Sequence, residues 1–197
     1  MAPDYSYEVF ISYRQDSSAA SFAKNQFLKA FRSALWDALA AESLPPVFLD
    51  VAEIHVGDQW PLRLQNGIKE SRVMIALLTP SYFRSEWCMS EFASFEAREK
   101  QKGVQLIVPV CYSNSTYVLQ QVGNIRQVFD LSRIYENVGQ TTRPEDLALL
   151  VNQLIMGVAN EVKRKIDTAP PFDVFPLCQA LAKPKPQVPL LGFGNAA

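Results

Sequence analysis

Four runs of apolar residues that show no polar alternation constrain this chain more than any other feature. They are Val9-Phe10-Ile11, Val47-Phe48-Leu49, Val73-Met74-Ile75-Ala76-Leu77-Leu78 and Leu106-Ile107-Val108-Pro109-Val110. A strand with one wet face alternates apolar and polar positions, so a run that is apolar throughout needs both faces covered. Helical patterns supply the covers. Phe27, Leu28, Phe31, Leu35 and Leu39 recur at helical spacing after the polar loop Gln15 to Ser18. Asp58 offers a cap to a helix opening at Trp60-Pro61, where proline's missing N–H costs nothing. A further helix begins near Ser85, and Val128-Phe129-Asp130-Leu131 reads as a short fifth strand. The last helix follows Thr142-Arg143-Pro144-Glu145, which has capping-box spacing, and carries the stripe Leu147, Leu150, Val151, Leu154, Val158 and Val162. The expected architecture is α/β: a flavodoxin-like, five-stranded parallel sheet in the order 2-1-3-4-5 with helices on both faces.

The pattern predicts one domain over residues 1–167 and a proline-rich tail or linker over residues 168–197, where Pro170, Pro171, Pro176, Pro184, Pro186 and Pro189 exclude a regular helix. Apolar residues between those prolines, among them Phe172, Val174, Phe175, Leu190 and Phe193, predict that the tail docks on the domain or approaches a sensor domain or partner protein. A net charge of −1 provides no field for nucleic acid or an acidic membrane, and neither partner is expected. The single histidine, His55, and three cysteines without CxxC spacing argue against a metal site. The cysteines read as buried thiols in a reducing compartment, which with the lack of a leader or long apolar span predicts a cytoplasmic protein.

In a sheet of this order ligands gather beyond the carboxyl ends of strands one and three, where the winding reverses. Strand one delivers Ser12, Tyr13 and Arg14 to that crevice; strand three delivers Thr79, Pro80 and the segment entering the helix near Ser85. On that helix Trp87 and Glu91 stand four apart and share a flank beside the core stripe Cys88, Phe92 and Phe95. Spacing alone also fits a packing tryptophan with a solvated glutamate. A phosphoacceptor receiver is excluded, because acidic residues are missing after strand one and at the end of strand three. A Gly-rich phosphate loop is excluded as well, since no glycine precedes Gly57.

These residues resemble the Toll/interleukin-1 receptor (TIR) domain, most closely its bacterial, NAD-hydrolysing members. Val9-Phe10-Ile11-Ser12-Tyr13-Arg14 is similar to the family's first-strand motif, and Val47-Phe48-Leu49-Asp50 with Gly57 to its second strand and BB loop. Leu77-Leu78-Thr79-Pro80-Ser81-Tyr82 and Ser85-Glu86-Trp87-Cys88-Met89-Ser90-Glu91 are similar to its third strand and following helix. The resemblance implies an NAD glycohydrolase with Glu91 as catalytic residue, giving nicotinamide and ADP-ribose or a cyclic ADP-ribose product. It implies NAD as substrate rather than cofactor, with Arg14 and Trp87 lining the pocket and Phe10, Ser12, His55 and Gly57 beside them. Some relatives carry an acid where this chain has His55. The resemblance further implies activation by self-association through TIR–TIR contacts in a bacterial defence or signalling pathway, and leaves open a non-catalytic interaction module.

Overall fold

A computed structural model describes residues 4–14, 31, 33–39, 47–49, 60–122, 126–132, 144–173 and 177. Within them lie β1 (Tyr7–Tyr13), β2 (Phe48–Leu49), α1 (Trp60–Glu70), β3 (Ser71–Leu78), α2 (Pro80–Phe83), α3 (Glu86–Lys102), β4 (Ile107–Cys111), α4 (Ser115–Val122), β5 (Phe129–Asp130) and α5 (Pro144–Thr168). Residues 33–39 are helical ahead of β2. Every strand pairing is parallel, and the sheet runs β2-β1-β3-β4-β5.

The unalternating runs become the central strands because both of their faces are dry. Val9, Ile11, Val73, Ile75 and Leu77 enter one core with Phe31, Leu35, Leu39 and the α5 residues Ile155, Val158 and Val162. Phe10, Met74, Ala76 and Leu78 enter a second core with Leu64 and Ile68 of α1 and Cys88, Phe92 and Phe95 of α3. The α/β class with helices on both faces is therefore as the sequence predicts. β5 is shorter than its apolar run, although Leu131 extends the pairing by donating its N–H to the Cys111 carbonyl at 2.6 Å. Two helices were not foreseen. Thr79-Pro80 starts the single turn of α2 before α3 begins, and α4 follows Asn114, whose Oδ1 accepts from the Tyr117 N–H at 3.3 Å.

Two charged side chains on α3 join the layers. α1 runs straight into β3 with no linker, so the carbonyls of its last turn need outside donors. Arg98 supplies them, donating to the carbonyls of Ile68 at 2.8 Å and Ser71 at 2.6 Å, and its charge also suits a helix C-terminus. Burial lowers its guanidinium to about 10, which still leaves it charged at neutral pH. One residue on, Glu99 accepts from the backbone N–H groups of Leu106 at 2.6 Å and Ile107 at 2.9 Å and from Arg126 at 2.5 Å. Gly103 makes this return possible: at φ 66 it ends α3 in the left-handed conformation that glycine adopts without strain.

Beyond α5 the chain turns back onto the domain. Tyr5 donates its hydroxyl to the Pro170 carbonyl at 3.1 Å and meets the Phe172 ring edge-on, while Lys102 pairs with Asp173 at 2.8 Å. Leu177 packs against the second core, whereas Val174, Phe175, Leu190 and Phe193 lie outside the described residues. Among the described residues no helix is long and apolar enough to cross a membrane, and Cys88 and Cys111 are buried free thiols.

Two substitutions test this packing. Gly67 sits inside α1 with a would-be Cβ only 2.7 Å from the Phe48 ring, so Gly67→Ala must displace that ring, at a cost of about 1–3 kcal/mol, against roughly 1 kcal/mol of helix propensity gained. The variant is expected to melt below the wild type in a thermal scan; a raised Tm would contradict the close contact. Glu99→Ala leaves two strand-entry N–H groups and Arg126 without their shared acceptor, and is expected to lose about 3–5 kcal/mol in urea unfolding. A loss below about 0.5 kcal/mol, the level of an indifferent surface change, would contradict the staple.

Candidate functional site

β1 presents alternate residues to opposite cores, Ile11 and Tyr13 to one and Phe10 to the other. Ser12, in step with Phe10, consequently points a hydroxyl under the α1/α3 layer. Its register partner on β3 is Ala76, so two small side chains lie next to each other on that face. The space is used by larger polar groups arriving from α2 and α3. Ser12 Oγ donates to Glu91 Oε2 at 2.5 Å and lies 2.8 Å from the Tyr82 hydroxyl.

Each partner is placed by a local signal. Thr79 caps α2, accepting from the Tyr82 N–H at 3.2 Å, with Pro80 in the first turn. That turn sends the Tyr82 ring inward, where it is fully buried and its hydroxyl comes 3.2 Å from the Cys88 carbonyl. Burial pushes the Tyr82 phenol well above its usual value, with Cys88 and Glu91 adding to the rise and the Ser12 hydrogen bond opposing it. Ser85 caps α3 by accepting from the Cys88 N–H at 3.4 Å, and the same oxygen accepts from Arg14 Nη1 at 3.3 Å. Arg14 is partly exposed, as is Trp87, whose indole packs against the second core.

The structure thus brings Arg14, Trp87 and Glu91 to the carboxyl ends of β1 and β3. Glu91 is 5% exposed and hydrogen-bonded, not the solvated glutamate that spacing alone allowed. Two further candidates are deeply placed. Phe10 has no exposure and stacks between Phe48 and Phe95, so its side chain supports the site from the core. Ser12 is 1% exposed and engaged with Glu91, which makes it a partner of the carboxylate. His55 and Gly57 lie outside the described residues. Tyr82 and Ser85 had no assigned role; the cap spacings Thr79 to Tyr82 and Ser85 to Cys88 were the signals that could have placed them.

A cleft of about 520 Å³ lies elsewhere, lined by Gln105, Ile107, Phe129, Arg126, Glu161 and Lys165 among others. It opens at the amino end of β4, and its cations are already committed: Arg126 to Glu96 and Glu99, Arg164 and Lys165 to Glu161. None of the described candidate residues lines it. Chemically, the carboxyl ends of β1 and β3 offer a carboxylate withdrawn from water, where its field acts at lower effective dielectric than in bulk, near a guanidinium and an aromatic platform.

The chain is similar in sequence to several known proteins. The chain is 25% identical over 185 residues to the disease resistance protein RPS6 of Arabidopsis thaliana, covering 86% of this chain and 15% of that protein. It is 32% identical over 106 residues to the probable 2' cyclic ADP-D-ribose synthase BdTIR of Brachypodium distachyon, covering 54% of this chain and 41% of that one. With the NAD(+) hydrolase TcpA of Theionarchaea archaeon (strain DG-70-1) it shares 27% identity over 122 residues, 58% of this chain and 36% of that one. The chain therefore spans less than half the length of each of these relatives. The TIR domain family model matches residues 9–142, from the first buried strand past the fifth, and so takes in the strands, α3 and the crevice with Glu91. On that match, this chain belongs to the TIR domain family.

Proposed function

We propose that this TIR domain cleaves the bond between nicotinamide and ribose in NAD, with Glu91 as the catalytic carboxylate. The observation that carries the reading is the Glu91 side chain itself, buried and oriented by Ser12 at the switch point of the sheet, with Trp87 and Arg14 at the same strand ends. The names of two relatives, a 2' cyclic ADP-D-ribose synthase and an NAD(+) hydrolase, support the same chemistry.

A single carboxylate is sufficient for this bond. Glycosidases acting on ordinary sugars need a second acid to protonate a leaving alkoxide, whereas nicotinamide departs neutral, taking the electron pair of the broken C–N bond into its cationic ring. Positive charge then builds on the ribose carbon, and a preorganised carboxylate stabilises it as it forms. Water capture gives ADP-ribose and releases a proton; capture by a nitrogen or hydroxyl within the same molecule gives a cyclic product. Trp87 stacks on a flat ring of the dinucleotide, and Arg14 holds a phosphate or ribose oxygen. Self-association brings a neighbour's loop to complete the pocket, so turnover belongs to the assembled state, in a defence or signalling role.

Glu91→Gln keeps the shape of the side chain and removes its charge. In concentrated or crowded samples, this variant is expected to release nicotinamide from NAD roughly 10²–10³-fold more slowly than wild type, the scale for losing one preorganised electrostatic partner. Chromatography of the wild-type reaction identifies whether the sugar product is open or cyclic. Equal rates for mutant and wild type would remove Glu91 from the chemistry.

A further inference from the structure

The hydrogen-bond arithmetic under Glu91 defines a chain with a direction. A hydroxyl has one proton to give and two lone pairs with which to accept. Ser12 spends its proton on Glu91 Oε2 at 2.5 Å, a separation typical of a hydroxyl on a charged oxygen. The 2.8 Å contact between Ser12 and Tyr82 must then have Tyr82 as donor. Tyr82 also stands 3.2 Å from the Cys88 carbonyl, but its one proton cannot fully serve both, and the shorter contact takes it. The order with ionised Glu91 is therefore Tyr82 to Ser12 to Glu91.

A proton on Glu91 reverses that order without leaving any donor unserved. Glu91 gives to Ser12, Ser12 to Tyr82, and Tyr82 to the Cys88 carbonyl, which lies in the turn of α3 before Glu91 itself. All three side chains are buried, so water does not compete for these protons. The phenol, raised by burial, remains a donor across the working range. Each link comes from a different element: Ser12 from β1, Tyr82 from α2 and Glu91 from α3.

We infer that Ser12 and Tyr82 are positioning residues for the reaction, a buried two-hydroxyl chain that holds the Glu91 carboxylate in one place and aims two O–H dipoles at its charge. This rests on the reading of Glu91 as the NAD-cleaving carboxylate. The chain acts on the carboxylate and touches no substrate, so its removal lowers kcat and spares KM. Because Tyr82 acts only through Ser12, the two residues do not contribute independently.

The test is a double-mutant cycle on the assembled protein. Ser12→Ala and Tyr82→Phe each remove one oxygen, and thermal melts establish that the variants fold. Ser12→Ala is expected to lower kcat for nicotinamide release roughly 10- to 100-fold, the scale of a hydrogen bond to a charged group, and Tyr82→Phe about 3- to 10-fold, with KM for NAD unchanged. The double variant is expected to match Ser12→Ala alone. Wild-type kcat in a folded Ser12→Ala or Tyr82→Phe protein, losses that multiply in the double variant, or an effect confined to KM would each overturn the proposal. Proton NMR gives a reading that does not need turnover: a slowly exchanging, low-field hydroxyl proton is expected in wild type and absent in Ser12→Ala, and its absence from wild type also overturns the chain. If that resonance is present while Glu91→Gln turns over NAD like wild type, the catalytic reading of Glu91 fails and the chain survives as structure only.

Discussion

The parallel pairing of β1 with β3 is the constraint from which the rest of the molecule follows. Six residue pairs from Tyr7↔Ser71 to Tyr13↔Leu77 align the two strands, and both of their faces are buried. Such a pair has to be covered by helices on each side, and its backbone groups are satisfied along the strands. Polar side chains can then gather only where the strands end. The reversal of winding also falls at those ends, between the exits of β1 and β3, where sheets of this order take their ligands. Ser12 is the point at which a hydroxyl enters the central strand, and the carboxylate of Glu91 comes to it.

The helix α3 carries two buried glutamates with different surroundings. Glu99 is surrounded by donors that fix the architecture, namely the first N–H groups of the β4 approach and the Arg126 guanidinium. These contacts hold α3 to the strand that follows it. Glu91 lies two turns earlier on α3, where a serine hydroxyl backed by a tyrosine contacts it. A backbone and guanidinium cage is a structural solution to burying a carboxylate; a hydroxyl chain fixes the direction in which one oxygen of a carboxylate points. The two residues divide α3 into a C-terminal half that anchors the sheet and an N-terminal half that carries the proposed catalytic carboxylate.

Much of this was legible in the sequence, for physical reasons that differ by element. The central strands announced themselves because burial on both faces removes polar alternation. α3 was legible through Ser85 and its core stripe, and α5 through the stripe ending at Val158 and Val162. α4 was not, because only Val118 and Val122 are buried along it and two anchors make no period. α2 was hidden inside what read as a loop, although Thr79-Pro80 is a helix start. For the site, the helical wheel placed Trp87 and Glu91 on one flank but could not give depth, which depends on the small residues Ser12 and Ala76 across the sheet. Motif resemblance placed Phe10 and Ser12 beside the ligand but could not show that the period-two geometry of β1 turns both side chains inward.

The central claim is that the Glu91 carboxylate faces the sugar of NAD. The most direct measurement is a structure of the assembled protein with an NAD analogue whose nicotinamide-bearing ring is carbocyclic and resists cleavage. The account predicts that ring against Glu91, its hydroxyls about 3 Å from the carboxylate, with Trp87 along a flat ring of the analogue. An analogue seated in the cleft beside Arg126 and Lys165, or one that leaves Glu91 covered and untouched, would contradict it.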